Sequence, residues 1–367
     1  MKTAFLHVGL PKTGSTSIQD FLYQEREALE AAGVLFPSPA SDMREARIAA
    51  GEGWGRHASL LSAIQGKWED LPPGEWERWQ AEFDRFRRSD ALHSVIVSHE
   101  TIGNRAAQLD LALLRDLLAG YRLRILLVVR EAEAWLASLY EQRVSGRRRL
   151  SAPADRFSPV ADYIEGGFQA RVAALEAAFP GAEIVVVPFE TMVAGDGLVP
   201  NSAALLGLPA EVVARAVSAK RVNTSLSQER IEVLRRCNAA DLPMDFFVSV
   251  RRALTTSQRL SQAPRTPRAR IFGEKVAAAI AARYAADRDW LAQAHGVALP
   301  ARRGDPAPFA PSQAAIEAIV EEVRPHLTAE AHARFAEFAR AEPSVAPAGR
   351  RDERRAERQR TRRERRG

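Results

Sequence analysis

Short apolar runs alternate along the chain with longer segments whose apolar positions recur at helical spacing. Ala4-Phe5-Leu6, Val34-Leu35-Phe36, Ser94 to Ser98, Arg124 to Val129 and Glu183 to Val187 read as strands. Between them, Ile18, Phe21, Leu22 and Leu29 mark one face of a helix from Ile18 to Ala32, closed by Gly33. Ser59 to Ile64, Trp76 to Phe86, Leu111 to Leu118, Val160 to Phe179 and Leu198 to Leu206 read as further helices. So does the segment after Arg130 that carries Trp135, Leu136, Leu139 and Tyr140. Later helices are predicted after Ser225, where Ser225 and Gln228 have capping-box spacing, and at Lys275 to Ala285, Ala315 to Val323 and Ala329 to Ala341.

A strand, loop, helix, strand opening points to a parallel sheet covered by helices. The expected fold class is α/β, a three-layer sandwich with a central parallel sheet flanked by helices, and the glycine-bearing loop from Gly9 to Gly14 after the first strand makes the expected form P-loop NTPase-like. The expected organisation is one α/β domain over residues 1–342, with helical insertions near 40–93 and 241–311. Residues 343–367 are Arg-rich without an apolar stripe, so a disordered tail is expected there.

Charge changes this picture only at the end of the chain. The net charge is +6, and residues 350–366 hold ten arginines against four acids, which accounts for the whole excess. The body is nominally neutral, so the basic balance does not argue for a nucleic-acid-binding fold. The tail offers at most a weak anionic contact. One cysteine, Cys237, cannot form an internal disulfide and reads as a structural thiol in a helix. Only three clearly apolar residues lie between Met1-Lys2-Thr3 and His7, too few for a signal peptide, and no apolar run reaches transmembrane length. The expected location is the cytoplasm.

The chemistry starts between the first strand and the first helix, in His7-Val8-Gly9-Leu10-Pro11-Lys12-Thr13-Gly14-Ser15-Thr16-Ser17. A glycine-bearing loop that opens a helix aims backbone N–H groups at an anion. Ser15, Thr16 and Ser17 add hydroxyls, and Lys12 adds a positive charge. Gly9 and Gly14 have Walker A spacing, but Ser15-Thr16 follows Gly14 where a Lys-Ser/Thr pair would stand. The lysine is inside the loop instead. This arrangement resembles the 5′-phosphosulfate loop of the sulfotransferase family. Those enzymes use 3′-phosphoadenosine-5′-phosphosulfate (PAPS) as sulfuryl donor and release PAP.

Two further places fit that resemblance. Arg130 ends the most apolar strand, where a charged residue cannot be buried without a partner. Ser138 follows eight residues later, and the two can converge on one phosphate; their spacing resembles the family's 3′-phosphate site. Glu131-Ala132 departs from the Asp-Pro or similar pair that family members often carry there. The bland reading of Arg130 is a salt bridge to Glu131 or Glu133. Arg221-Val222-Asn223-Thr224-Ser225-Leu226-Ser227 resembles an Arg-x-Asn-x-Ser-Leu-Ser segment of bacterial sulfotransferases and, by that resemblance, would close over the nucleotide. A helix cap is the alternative.

Sulfuryl transfer needs positioning, charge neutralisation at the leaving oxygen and a base for the acceptor proton. The catalytic candidates are Lys12, for the leaving phosphate, and Glu100, at the end of the Ser94–Ser98 strand, as base. Glycan sulfotransferases of similar layout place a glutamate at this point. His99 is the competing base. The donor-binding candidates are Lys12, Thr13, Gly14, Ser15, Thr16, Arg130, Ser138 and Arg221. No metal-ligand spacing is evident, and none is required. The expected acceptor is a saccharide or glycoconjugate. The rival readings are a P-loop-type kinase or phosphotransferase, and a non-catalytic protein acting through its basic tail. Trp68, Trp76 and Trp79 read as packing residues, with sugar stacking as the alternative, and His57 reads as a polar surface or core residue.

Overall fold

The computed structural model describes residues 1–38, 57–146, 149–156, 167–217, 226–240, 242–261, 270–300 and 309–341. Arg221, Ser225, the first part of the predicted Val160–Phe179 helix and the arginine-rich tail lie outside them. The residues cluster into two compact units. The first comprises 1–135, 164–223 and 281–303; the second comprises 136–163, 224–280 and 304–367.

The first unit carries the sheet. Its strands are β1 (Thr3–His7), β2 (Val34–Leu35), β3 (Ser94–Ser98), β4 (Arg122–Val129) and β5 (Glu183–Pro188). All pair in parallel, in the order β2-β3-β1-β4-β5. The fold is therefore α/β with a central parallel sheet between helices. Strand alternation sorts the side chains: Phe5, Ile96, Leu126 and Val128 join Ile18, Phe21, Leu22, Ala203 and Leu206 in one core. Ala4, Leu6, Val95, Val97, Ile125 and Leu127 point to the opposite face and are equally buried. A sheet covered on both faces needs apolar residues at consecutive positions, which is why these strands read as runs rather than alternations.

β1 lies between β3 and β4, so the chain leaves β1 toward one edge and crosses to the other side after β3. Ligand crevices of open parallel sheets form at such reversals, beyond the carboxyl ends of the strands. The three segments singled out as chemical follow β1, β3 and β4, and so share that end of the sheet.

The predicted helix from Ile18 is two helices, Ser15–Gln24 and Arg26–Ala31, meeting at Glu25. Trp79 is buried and donates to Ser59 Oγ at 2.9 Å, whereas Trp68 is half exposed and packs edge-to-face with Trp76. His57 is a core histidine between Phe36 and Trp79; its Nδ1 accepts the Ser98 N–H at 3.1 Å.

The second unit includes the helices Gln228–Ala239, Met244–Leu260, Gln313–Val323 and Ala329–Arg340. The cap of Gln228–Ala239 is Ser227, whose side chain accepts from the Arg230 N–H, in place of the predicted Ser225–Gln228 box. Arg235 donates to the Ser151 carbonyl at 2.7 Å and pairs with Glu232. Asn238 donates to the Val144 and Leu150 carbonyls. Cys237 is buried beside it, and burial pushes its thiol up to about 12. Among the described residues no helix is long and apolar enough to cross a membrane.

Candidate functional site

The loop after β1 is held by its carbonyl groups. Val8 and Leu10 continue the pairing with β4, donating to the Leu126 and Val128 carbonyls at 3.0 Å each. The next three carbonyls each accept from a side chain. Thr13 Oγ1 donates to Leu10 at 2.6 Å, Trp135 Nε1 to Pro11 at 2.8 Å, and Arg130 Nη1 to Lys12 at 2.9 Å. In a trans peptide the N–H points opposite to the carbonyl. Fixing the Pro11 and Lys12 carbonyls against Trp135 and Arg130 therefore turns the Lys12 and Thr13 N–H groups the other way.

Lys12 and Gly14 are both left-handed, with φ of 70° and 80°. Left-handed residues in a turn gather successive N–H groups into an anion-binding concavity. Gly14 is favoured by its positive φ, and a Cβ there would also press on the end of the Leu198 side chain. The helix Ser15–Gln24 starts with no side-chain cap among the described residues, although Ser, Thr and Asp caps are the usual device. The positive end of its dipole stands at the loop.

Arg130 follows the last residue of β4. Its guanidinium lies over the Phe189 ring, 4.7 Å from the centroid, while it bonds the Lys12 carbonyl. Glu131 has a different task from pairing with it. Its carboxylate accepts the Glu133 and Ala134 N–H groups at 2.9 and 2.7 Å, capping the helix Ala132–Ser145. Burial raises its pKa, and those two N–H bonds work against the rise.

On the other side of β1, the helix Glu100–Asn104 follows β3 directly. Gly103 brings it against the Val8 backbone so closely that a Cβ would collide with the Val8 carbonyl. Glu100 is the first residue of that helix, and His99 is its cap: His99 Nδ1 accepts the Thr101 N–H at 3.1 Å. A ring that accepts at Nδ1 carries its proton on Nε2 when neutral. His99 therefore cannot take a proton at Nδ1 without releasing the helix start, which favours Glu100 of the two base candidates.

Three polar side chains that the sequence did not single out lie beneath Glu100. Gln19, fully buried on the first helix, donates from Nε2 toward Ser98 Oγ at 3.1 Å, the Ser98 carbonyl at 3.3 Å and Glu100 Oε2 at 3.5 Å. Ser98 Oγ in turn lies 2.8 Å from His7 Nδ1. His7 and Ser98 are register partners at the ends of β1 and β3. Burial pushes the His7 pKa down to about 4, opposed by the charge of Glu100. Both strands keep a polar residue at the end of an apolar run, a signal present in the sequence; their pairing is not.

The structure thus brings Lys12, Thr13, Gly14, Ser15, Thr16, Arg130 and Glu100 to one end of the sheet. Thr13 contributes only its backbone there, because its hydroxyl proton is donated to Leu10. Ser138 is buried in the helix Ala132–Ser145 and belongs to the second unit. Arg221 lies outside the described residues. No protein-family model and no curated protein matches the chain.

Proposed function

We propose that the protein is a sulfotransferase that moves a sulfuryl group from PAPS to a hydroxyl or amine of an acceptor, with a saccharide or glycoconjugate as acceptor class. The observation that carries this reading is the loop. Side chains bond the carbonyls of Leu10, Pro11 and Lys12, and an uncapped helix start faces the same crevice. The Lys12 and Thr13 N–H groups, turned away from those carbonyls, and the helix start form a donor set that suits a tetrahedral anion. With Ser15-Thr16 after Gly14, it lacks the lysine a nucleoside triphosphate site of Walker type would place there.

In this reading the backbone of Thr13 and Gly14, with Ser15 and Thr16, holds the phosphosulfate. By resemblance, Arg130 and Ser138 are assigned to the 3′-phosphate, and the segment that begins at Arg221 to closing over the nucleotide. Transfer forms a bond from the acceptor atom to sulfur as the bond from sulfur to the phosphate oxygen breaks. Lys12 balances the charge left on that phosphate, and Glu100 takes the acceptor proton. Such transfer is catalysed by positioning and electrostatics, as in phosphoryl transfer. The reading places the protein in the cytoplasm and assigns the arginine-rich tail a weak contact with anionic surfaces.

The test is transfer of labelled sulfate from PAPS to a panel of saccharides by the wild type, Lys12→Ala and Glu100→Gln. Labelled saccharide from the wild type alone supports the reading. Equal labelling by Glu100→Gln removes Glu100 as base, and no consumption of PAPS by the wild type removes the reading itself.

A further inference from the structure

We propose that Gln19, held by Ser98 and His7, is a positioning residue for Glu100, so that the base is set in place by a buried polar chain before any acceptor arrives. This rests on the reading of Glu100 as base.

The direction of each hydrogen bond in the chain can be assigned. The Ser98 carbonyl and the Glu100 carboxylate only accept, so the Gln19 atom facing both must be its amide nitrogen. The same nitrogen lies 3.1 Å from Ser98 Oγ, and with two amide protons for three acceptors the two Ser98 oxygens share one while Glu100 takes the other. The Ser98 hydroxyl then directs its own proton to His7 Nδ1, which leaves the His7 proton on Nε2. That Nε2 is buried and has no hydrogen-bond partner among the described residues. It lies beneath the phosphate loop: a Cβ on Gly9 would stand 3.5 Å from it.

The chain therefore runs from the ring under the loop, through Ser98 and Gln19, to the carboxylate at the end of β3. Protonating His7 would turn Nδ1 into a donor and leave the Ser98 hydroxyl without an acceptor in the chain. The low His7 pKa agrees with a ring kept neutral. Gln19 is fully buried, so its amide has no bulk water to turn to. Its bond to the Ser98 carbonyl fixes the amide even when Glu100 moves. Neither loop binding nor the helix cap at His99 needs Gln19, so its loss should separate binding from turnover.

The experiment uses the full chain and two readouts. In the first, nitrogen-15 spectra of the His7 ring report its tautomer in the wild type, Glu100→Gln, Gln19→Leu and the double variant. Expected are an Nε2–H tautomer, ring shifts that respond to Glu100→Gln, and a response at least halved once Gln19 is leucine. An Nδ1–H tautomer in the wild type, or an undiminished response in Gln19→Leu, overturns the chain. In the second, PAP affinity and the rate of PAPS cleavage with water as acceptor are compared. Gln19→Leu should bind PAP within about twofold of wild type and cleave PAPS at least about tenfold more slowly, with partial recovery in Gln19→Asn. Unchanged cleavage in Gln19→Leu overturns the positioning role. If the wild type neither binds PAP nor cleaves PAPS, the donor reading fails, and the ring spectra still decide whether the chain couples His7 to Glu100.

Discussion

Arg130 donates through Nη1 to the Lys12 carbonyl at 2.9 Å, joining the end of β4 to the loop after β1. The arginine is thus part of the loop's scaffold as well as a charge beside it. A charged donor on a neutral acceptor contributes about 1.5–3 kcal/mol. Arg130→Ala should weaken PAP binding by roughly tenfold to a hundredfold, read by titration calorimetry. Arg130→Lys should recover little of this, because an ammonium lacks the planar fork that lies on Phe189 while reaching Lys12.

Gly14→Ala tests the loop backbone. A left-handed alanine costs roughly 1–2 kcal/mol, and its methyl group would meet Leu198. The variant should unfold at a temperature several degrees lower and lose PAP binding. An unchanged thermal midpoint with intact binding would mean that the left-handed turn is dispensable.

His99 and Glu100 should separate by kind of effect. His99→Ala removes a helix cap, an interaction of about 1 kcal/mol, and should lower stability more than turnover. Glu100→Gln should leave stability nearly unchanged and lower turnover by roughly two to four orders of magnitude. Thermal melts beside rates of PAPS consumption distinguish the two.

His7 gives the fold a defined pH dependence. Its folded pKa of about 4 lies below the ordinary histidine value of 6.5. Between those values the unfolded chain binds more protons, so stability is fully present above pH 6.5 and falls as pH drops toward 4. The loss through this group is about 3 kcal/mol at the acid end. His7→Asn places an amide oxygen near the Nδ1 position and does not titrate. Urea melts from pH 4 to 7 should show a shallower acid loss in that variant than in wild type.

Cys237 should be inert in the folded protein. Burial raises its thiol to about 12, so almost none is thiolate at neutral pH. A thiol reagent at pH 7.5 should react in denaturant and barely at all without it. Rapid native reaction would mean that the second unit opens readily around Cys237.

The strands were legible because a sheet buried on both faces writes itself as short apolar runs, and Ile125 to Val129 is such a run. The loop was legible because glycines that can turn left-handed, a proline of fixed φ and a lysine stand together just before a helix start. Helix lengths were less so. The predicted Ile18–Ala32 helix breaks at Glu25, where no glycine or proline marks the break. The Lys275–Ala285 helix extends from Glu274 to His295, past Asp287-Arg288-Asp289, where the apolar periodicity thins but Leu291 is still buried. The polar chain beneath Glu100 was not legible. It needs His7 and Ser98, 91 residues apart, to be register partners and the first helix to lie over both. The role of Trp135 escaped for the same reason, whereas Glu131, a local cap of the helix that follows it, reads from sequence only as a pairing candidate for Arg130. Tryptophan in an apolar stripe reads as packing, and nothing local says that its N–H reaches Pro11.

The most direct test of the central claim is calorimetric titration of PAP into the full chain without magnesium, beside Lys12→Ala. Expected is binding on the order of micromolar in the wild type, lost or weakened at least about tenfold in the variant. No heat with PAP, and saturable binding of ATP with magnesium instead, would contradict it and make the loop that of a phosphotransferase.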